Sequence, residues 1–275
     1  MPELAKSSAS SLAGCVVIIT GGAGLLGREH ARAVMNAGGI PVIWDIDGNA
    51  AQAAAAELLP HAVGLAVDVT DPGSVASALD AVLKQFGAVS ALINNAARNP
   101  AVGRHLSQLV ALDLADRVTS WRADLEIGLL GSYICSEIVG ESMANSGGGA
   151  IVNIASDLSV ISPDQRLYVT DGVDGDSQAR LKPASYSVVK TGLIGLTRWH
   201  ATFFAERNVH VNALSPGGVR TDQDPTFVQR LTSRIPMGRM ASHDEYHGAV
   251  VFLCSDASRY MTGQNMVIDG GRSVW

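Results

Sequence analysis

A chain of 275 residues, 47% of them hydrophobic, is long enough for one large α/β domain or two small ones, and its apolar content supports a sizeable core and excludes a disordered protein. The formal net charge of -6 and the lack of Lys/Arg runs exclude a basic footprint for nucleic acid or an anionic membrane. Cys15, Cys135 and Cys254 lie far apart without ligand spacing, so reduced core thiols and no metal are expected. The apolar run Cys15 to Ile19 is too short for a bilayer span and its lead-in has only Lys6 as a cation, so the expected location is cytoplasmic.

In chain order, β-branched runs alternate with helical spacing. Val16 to Ile19 reads as a strand, Leu25 to Ala37 as a helix, Val42 to Trp44 as a strand and Ala50 to Leu59 as a helix. The rhythm continues with strand Gly64 to Val67, a helix from Asp71 or Pro72 to Phe86, strand Val89 to Ile93, a helix around Leu125 to Met143 and strand Ile151 to Ile154. The second half predicts helix Ser185 to Glu206, strand Val209 to Leu214, helix His243 to Leu253 and a short strand Asn265 to Ile268. No linker or repeat interrupts the series, so the expectation is one α/β domain over 1–275, a parallel sheet covered on both faces.

Thr20-Gly21-Gly22-Ala23-Gly24-Leu25-Leu26-Gly27 follows the first strand and opens a helix, the setting a dinucleotide loop requires. Glycine lets backbone N–H groups approach a pyrophosphate, and the helix N-terminus adds partial positive charge. Asp45 ends the second strand, followed by Ile46, where a carboxylate accepts the adenosine ribose hydroxyls and repels a 2′-phosphate. No Lys or Arg lies within Gly21 to Gly27, so NAD rather than NADP is expected. Asp47 either shares the ribose role or starts the next helix.

Tyr186 and Lys190 stand one helical turn apart. A phenol with a reference pKa of about 10 is a poor base at neutral pH, and a nearby ammonium favours its ionised form. Lys190 supplies that charge and can hold nicotinamide ribose hydroxyls. Ser156, just past a strand end, is placed to hydrogen-bond a substrate oxygen.

These residues, with Asp68-Val69, Asn94-Asn95-Ala96-Ala97, Asn212, Pro216 to Thr221, Thr262 to Gln264 and Asp269 to Gly271, resemble the short-chain dehydrogenase/reductase family over nearly the whole chain. The resemblance implies a seven-stranded doubly wound Rossmann sheet and hydride transfer between NAD and an alcohol or carbonyl carbon. It implies Ser156, Tyr186 and Lys190 as catalytic residues. Cofactor contacts are implied at Gly21, Gly24, Leu25, Leu26, Gly27, Asp45, Ile46, Asp68, Val69, Asn95, Ala96 and Ala97, and further along at Tyr186, Lys190, Pro216, Gly217, Val219 and Thr221. Asn212 is structural on this reading. The implied partners are a small-molecule substrate and further copies of the chain, as a homotetramer or homodimer through the helices 125–143 and 185–206. The tail Arg272 to Trp275 is expected at a subunit contact.

Three departures from the family pattern matter. Leu25 replaces a usual glycine, so the spacing of Gly21, Gly24 and Gly27 matches the extended relatives acting on nucleotide sugars. Gly128 stands where the family commonly has an active-site Asn, and either a water or another side chain takes its place or turnover is lost. Twenty-nine residues separate Ser156 from Tyr186, roughly twice the usual separation, which places an insertion at about 158–184 beside the site. Its polar residues Asp164, Gln165, Arg166, Tyr168, Asp171, Asp174, Asp176, Arg180 and Lys182 predict a hydroxyl-rich or charged substrate. Arg98, Arg104 and His105 either bind an anionic group of that substrate or form an exposed polar loop. The stretch Ser156 to Gln165 with Lys182-Pro183 also resembles bacterial short-chain enzymes of surface-sugar and nonulosonate pathways.

His200, His210, His243 and His247 read as surface or packing residues. Beside the dehydrogenase reading stand two others: an idle NAD(H)-binding sensor or scaffold, motivated by Gly128, and an epimerase or dehydratase retaining NAD, motivated by the glycine spacing.

Overall fold

Seven apolar runs form the strands of the computed structural model, which describes residues 11–58, 62–98, 114–168 and 182–275. They are β1 (Val16–Thr20), β2 (Ile40–Asp45), β3 (Val63–Ala66), β4 (Ala91–Asn94), β5 (Gly149–Ile154), β6 (Val209–Pro216) and β7 (Asn265–Ile268). All lie in one sheet of order β3-β2-β1-β4-β5-β6-β7 with every neighbouring pair parallel. The chain reaches the sheet edge at β3 and returns to the centre at β4. Strand order therefore reverses between β1 and β4, and a crevice opens outside their C-terminal ends.

Among the described residues the helices are α1 (Leu25–Asn36), α2 (Gly48–Ala56), α3 (Pro72–Phe86), α4 (Leu114–Leu125), α5 (Gly131–Asn145), α6 (Ala184–Phe204), α7 (Pro225–Thr232) and α8 (His247–Cys254). Alternation along the strands splits the core into two layers. Val17, Ile19, Ile43, Ile93 and Val152 pack with Val34 of α1 and Val250 of α8 on one face. Ile18, Trp44, Leu92 and Ile151 pack with Val75 and Leu79 of α3, Val139 of α5 and Phe204 of α6 on the other. Asp71 caps α3 by accepting from the N–H groups of Gly73 and Ser74, ahead of Pro72 in the first turn.

The structure differs from the sequence expectations in three places. The helix expected from Leu125 begins at Leu114, and a π-turn over Glu126–Leu130 joins α4 to α5. Gly128 sits inside that turn, where an added Cβ would come within 2.6 Å of Val189 Cγ1, so α6 packs against bare backbone. Helix α7 falls in a stretch for which no element was expected, although Asp224 followed by Pro225 forms a standard helix start: the carboxylate accepts from Thr226 and Phe227 N–H groups. The helix expected from His243 begins at His247, because Glu245 is held by Arg239 and by the Ser242 N–H. Among the described residues no helix is long and apolar enough to cross a membrane.

Candidate active site

The glycine loop after β1 is moulded against the end of β4. At Gly21, with φ +59°, a Cβ would meet Ala96 Cα at 2.8 Å, and at Gly27 one would meet the Gly21 carbonyl at 2.3 Å. Thr20 fastens the two segments: its Oγ1 accepts from the backbone N–H groups of Asn95 and Ala96, both at 3.0 Å. The Asn95 side-chain amide donates to the carbonyls of Thr20 and Gly21, at 3.1 and 3.0 Å. No side chain caps the first turn of α1 and no acidic residue lies in it, while Gly24 and Leu25 are exposed. Free N–H donors at a helix start, under a surface without side chains, suit a pyrophosphate.

Asp45 lies at the end of β2 and accepts from the N–H groups of Ala23 and Asp47, at 3.1 and 3.2 Å. Asp47 caps α2 through Ala50 N–H, in keeping with the helix-start alternative. The nearest cation beyond the loop, Arg28, donates to the Ala23 carbonyl and pairs with Glu57 at 2.6 Å. Ile46 is exposed beside Asp45. Asp68 accepts from Thr70 N–H and Oγ1 at the end of β3, and Val69 packs against Gly131.

Beyond β6, Gly217 N–H donates to Ile268 and the Tyr246 hydroxyl donates to the Gly217 carbonyl. Gln223 bridges Val219 and Thr221 by accepting from Thr221 N–H and donating to the Val219 carbonyl. Asn212 is structural as expected, donating to Met261 and accepting from Gln264 N–H.

Ser156, Tyr186 and Lys190 converge at the C-terminal end of β5. Lys190 Nζ donates to the Ile154 carbonyl at 2.7 Å and lies 5.9 Å from the Tyr186 ring centroid. Burial raises the Tyr186 pKa above its ordinary value, a hydrogen bond with Ser156 opposes the rise, and the Asp157 charge adds to it. The sequence suggested a lowering by Lys190; burial instead sets the direction of the shift. Burial likewise lowers the Lys190 pKa to about 8, helped by the neighbouring charge of Lys182.

Tyr186, Lys190, Gly128 and Val189 line a pocket with Ala97, Arg98, Asp124, Lys182 and Pro183. Lys182 sits 3.7 Å from the Tyr186 ring centroid with its side chain buried, and burial lowers its pKa to about 8. Arg98, read as either a ligand for a substrate anion or part of an exposed polar loop, pairs with Asp124 at 3.2 Å and donates to the Ser120 carbonyl. Ser185 donates to the other Asp124 oxygen at 2.6 Å. Val189 fills the space a side chain at Gly128 would need, while the Gly128 carbonyl accepts from Ser132 Oγ at 3.0 Å.

Several of these residues escaped sequence reasoning. Asp124, Asp157 and Arg272 were given no role in the site, Thr20 counted only as the start of the glycine loop, and Lys182 counted as insertion polarity and as part of a family resemblance. Asp157 adjoins Ser156, which was a usable signal; nothing local marks Asp124 or Arg272. Arg104, His105, Asp171, Asp174, Asp176 and Arg180 lie outside the described residues. His200 is a fully buried packing residue, held by Glu137 at 3.0 Å and stacked between Tyr133 and Phe204.

Comparison with known proteins decides the family. The sequence profile described as "short chain dehydrogenase" matches residues 15–170, and one described as "Enoyl-(Acyl carrier protein) reductase" matches residues 168–273. The chain belongs to the short-chain dehydrogenase/reductase family.

Within it, the chain is 34% identical to a D-threitol dehydrogenase of Mycolicibacterium smegmatis, covering 99% of this chain and 98% of that one. It is 28% identical to an NAD-dependent glycerol dehydrogenase of Listeria innocua, covering 94% of each. Among solved structures, a gluconate 5-dehydrogenase of Burkholderia cenocepacia in complex with NADP and tartrate superposes with a TM-score of 0.80 at 27% identity, over 97% of this chain and 98% of that one. As a short-chain dehydrogenase/reductase the protein is an oxidoreductase acting on CH–OH groups of small molecules with a nicotinamide cofactor.

Proposed function

We propose that the protein is an NAD-dependent dehydrogenase of a secondary hydroxyl on a small polar substrate, polyol-like or sugar-acid-like, with Ser156, Tyr186 and Lys190 as its catalytic residues. The observation that carries this reading is the pocket that Tyr186 and Lys190 line together with Lys182, Arg98 and Asp124, with Ser156 beside Tyr186 at the end of β5. Bound NAD supplies the hydride acceptor. Tyr186 takes the proton of the substrate hydroxyl in oxidation and returns it in reduction. Lys190, held by the Ile154 carbonyl, keeps a positive charge beside the phenol, and Ser156 steadies the oxygen on which charge develops.

Asp45 supports NAD over NADP, since a carboxylate at the end of β2 would repel a 2′-phosphate and Arg28 is already paired with Glu57. The polar insertion from about 158 to 184 and the names of the polyol and gluconate relatives both favour a hydroxyl-rich substrate. Exposed Tyr133, Val188, Trp199 and Phe203 on α5 and α6 support assembly of a homodimer or homotetramer through that face.

An absorbance screen with NAD and NADP against D-threitol, glycerol, gluconate, tartrate and simple secondary alcohols tests the reading. We expect NADH to accumulate with a polyol or sugar acid. Tyr186→Phe should lower the rate by roughly a hundredfold or more while leaving NAD affinity by calorimetry within error. Preference for NADP, or an active Tyr186→Phe enzyme, would overturn the corresponding assignment.

A further inference from the structure

Ser156 Oγ carries one proton, and the Asp157 carboxylate stands within hydrogen-bond reach to hold it. The hydroxyl donates to Asp157 Oδ1 at 2.9 Å and accepts from Leu158 N–H at 3.2 Å. A serine in that state offers a substrate oxygen only lone pairs. To stabilise a developing alkoxide it has to release the proton from the Asp157 carboxylate, and a buried ionised carboxylate is a strong acceptor.

The Asp157 carboxylate is not left alone. Arg272 Nη1 lies 2.5 Å from Asp157 Oδ2, and the two side chains are 9% and 5% exposed, so water screens the pair little. The arginine arrives from 115 residues away, past the end of β7. Asp269 accepts from the N–H groups of Gly271 and Ser273, and Gly270 and Gly271 adopt φ of +68° and +87°. That turn directs the Arg272 side chain toward Asp157.

We propose that Arg272 is a positioning residue for Ser156: by drawing on the Asp157 carboxylate it weakens the carboxylate's hold on the serine proton and frees that proton for the substrate oxygen. Asp157 is thereby the switch on which Ser156 turns between acceptor and donor. The inference rests on the catalytic reading of Ser156 and Tyr186 given above.

The test is a cycle of Arg272→Met, Asp157→Asn and the double variant, with Arg272→Lys as the conservative control, each checked for native circular dichroism. With the substrate of the screen that gives most NADH, Arg272→Met should lower kcat by roughly tenfold to a hundredfold, part of the ~100–1,000-fold that loss of an oxyanion donor costs. NAD affinity should stay unchanged and Arg272→Lys should recover part of the rate. In the double variant no unpaired carboxylate competes for the proton, so kcat should rise well above that of Arg272→Met. A double variant as slow as Arg272→Met, or an Arg272→Met enzyme of full rate, would overturn the proposal.

A second readout needs no substrate. The groups facing the Tyr186 phenol are Ser156, Asp157, Tyr168, Lys182 and Lys190. Ultraviolet difference titration against Tyr186→Phe should show the Tyr186 ionisation moving to higher pH in Arg272→Met and back in the double variant. No movement in either would also overturn the proposal. Full activity in Ser156→Ala, by contrast, would refute the catalytic reading itself.

Discussion

The loops at the two ends of the crevice are held by different chemistry. After β1 and β4 the fastening is neutral: Thr20 and Asn95 exchange hydrogen bonds with backbone, and glycines bring main chain against main chain. After β5 and β7 it is ionic, with Asp157 on Arg272, Asp164 on Arg166 and Arg234, and the Lys182 ammonium over the Tyr186 ring. A neutral cradle presents N–H donors to a charged cofactor without competing for it. A charged wall polarises whatever hydroxyl or carbonyl enters, and it carries a desolvation cost.

The largest effect should come from breaking the charged side. Lys190→Met removes the buried ammonium beside Tyr186, and we expect kcat to fall on the order of a hundredfold or more. Stability should move the other way. Burial lowers the Lys190 pKa to about 8 from 10.5, so between those values the unfolded chain binds more protons than the folded one. The cost of holding Lys190 is therefore fully present below pH ~8 and disappears as pH rises toward ~10.5. Thermal unfolding of Lys190→Met should show a gain of about 1–2 kcal/mol at neutral pH that shrinks steadily on the alkaline side. A variant that is less stable than the parent at neutral pH would mean that the hydrogen bond to Ile154 outweighs desolvation.

On the neutral side, Thr20→Val keeps shape and removes the acceptor of two backbone N–H groups, those of Asn95 and Ala96. Leaving two donors unpaired should cost about 2–4 kcal/mol, read as a lower Tm. Because the same bonds shape the glycine loop, NAD affinity should weaken with it, and neither loss should change with pH between about 6 and 9, where no group in this network titrates. A pH-dependent loss would erase the distinction between the two sides.

The same distinction governs how much was legible in the sequence. The neutral cradle is local: a β-branched run, a glycine turn and an amphipathic helix follow one another, so β1, α1 and β4 could be read in order, while the reversal of strand order came only with the family resemblance. Tyr186 and Lys190 are also local, one helical turn apart. The ionic side joins distant residues, and Arg272 reaches Asp157 across the whole second half of the chain. No periodicity encodes such a pairing. Gly128 was visible as a departure, but its meaning was not, because the answer lies on another helix: Val189 occupies the place of the missing side chain and a π-turn absorbs the geometry. Arg98 looked available for an anion because its partner Asp124, on α4, lay in a stretch for which no helix was foreseen before Leu125.

The smallest expected effect falls on the cofactor side, in α1. His30 is buried, neither ring nitrogen has a hydrogen-bond partner, and burial, followed by the charge of His247, pushes its pKa down to about 3. The folded chain therefore keeps His30 neutral where the unfolded chain, with an ordinary value of 6.5, takes up a proton. Its neutral form supports stability fully above pH ~6.5, and that support is lost as pH falls toward ~3, by up to about 1.4 kcal/mol per pH unit. His30→Leu, similar in bulk and unable to titrate, should flatten this acid limb in denaturant melts between about pH 6 and 4 and leave the alkaline limb untouched, the mirror image of Lys190→Met. The cofactor side would then be acid-sensitive through one neutral buried group and the substrate side alkali-responsive through its buried ammoniums. Parallel acid limbs for His30→Leu and the parent would place the acid sensitivity elsewhere, with the ion pairs of Asp164 as the first place to look, since protonating that carboxylate would loosen the charged side instead.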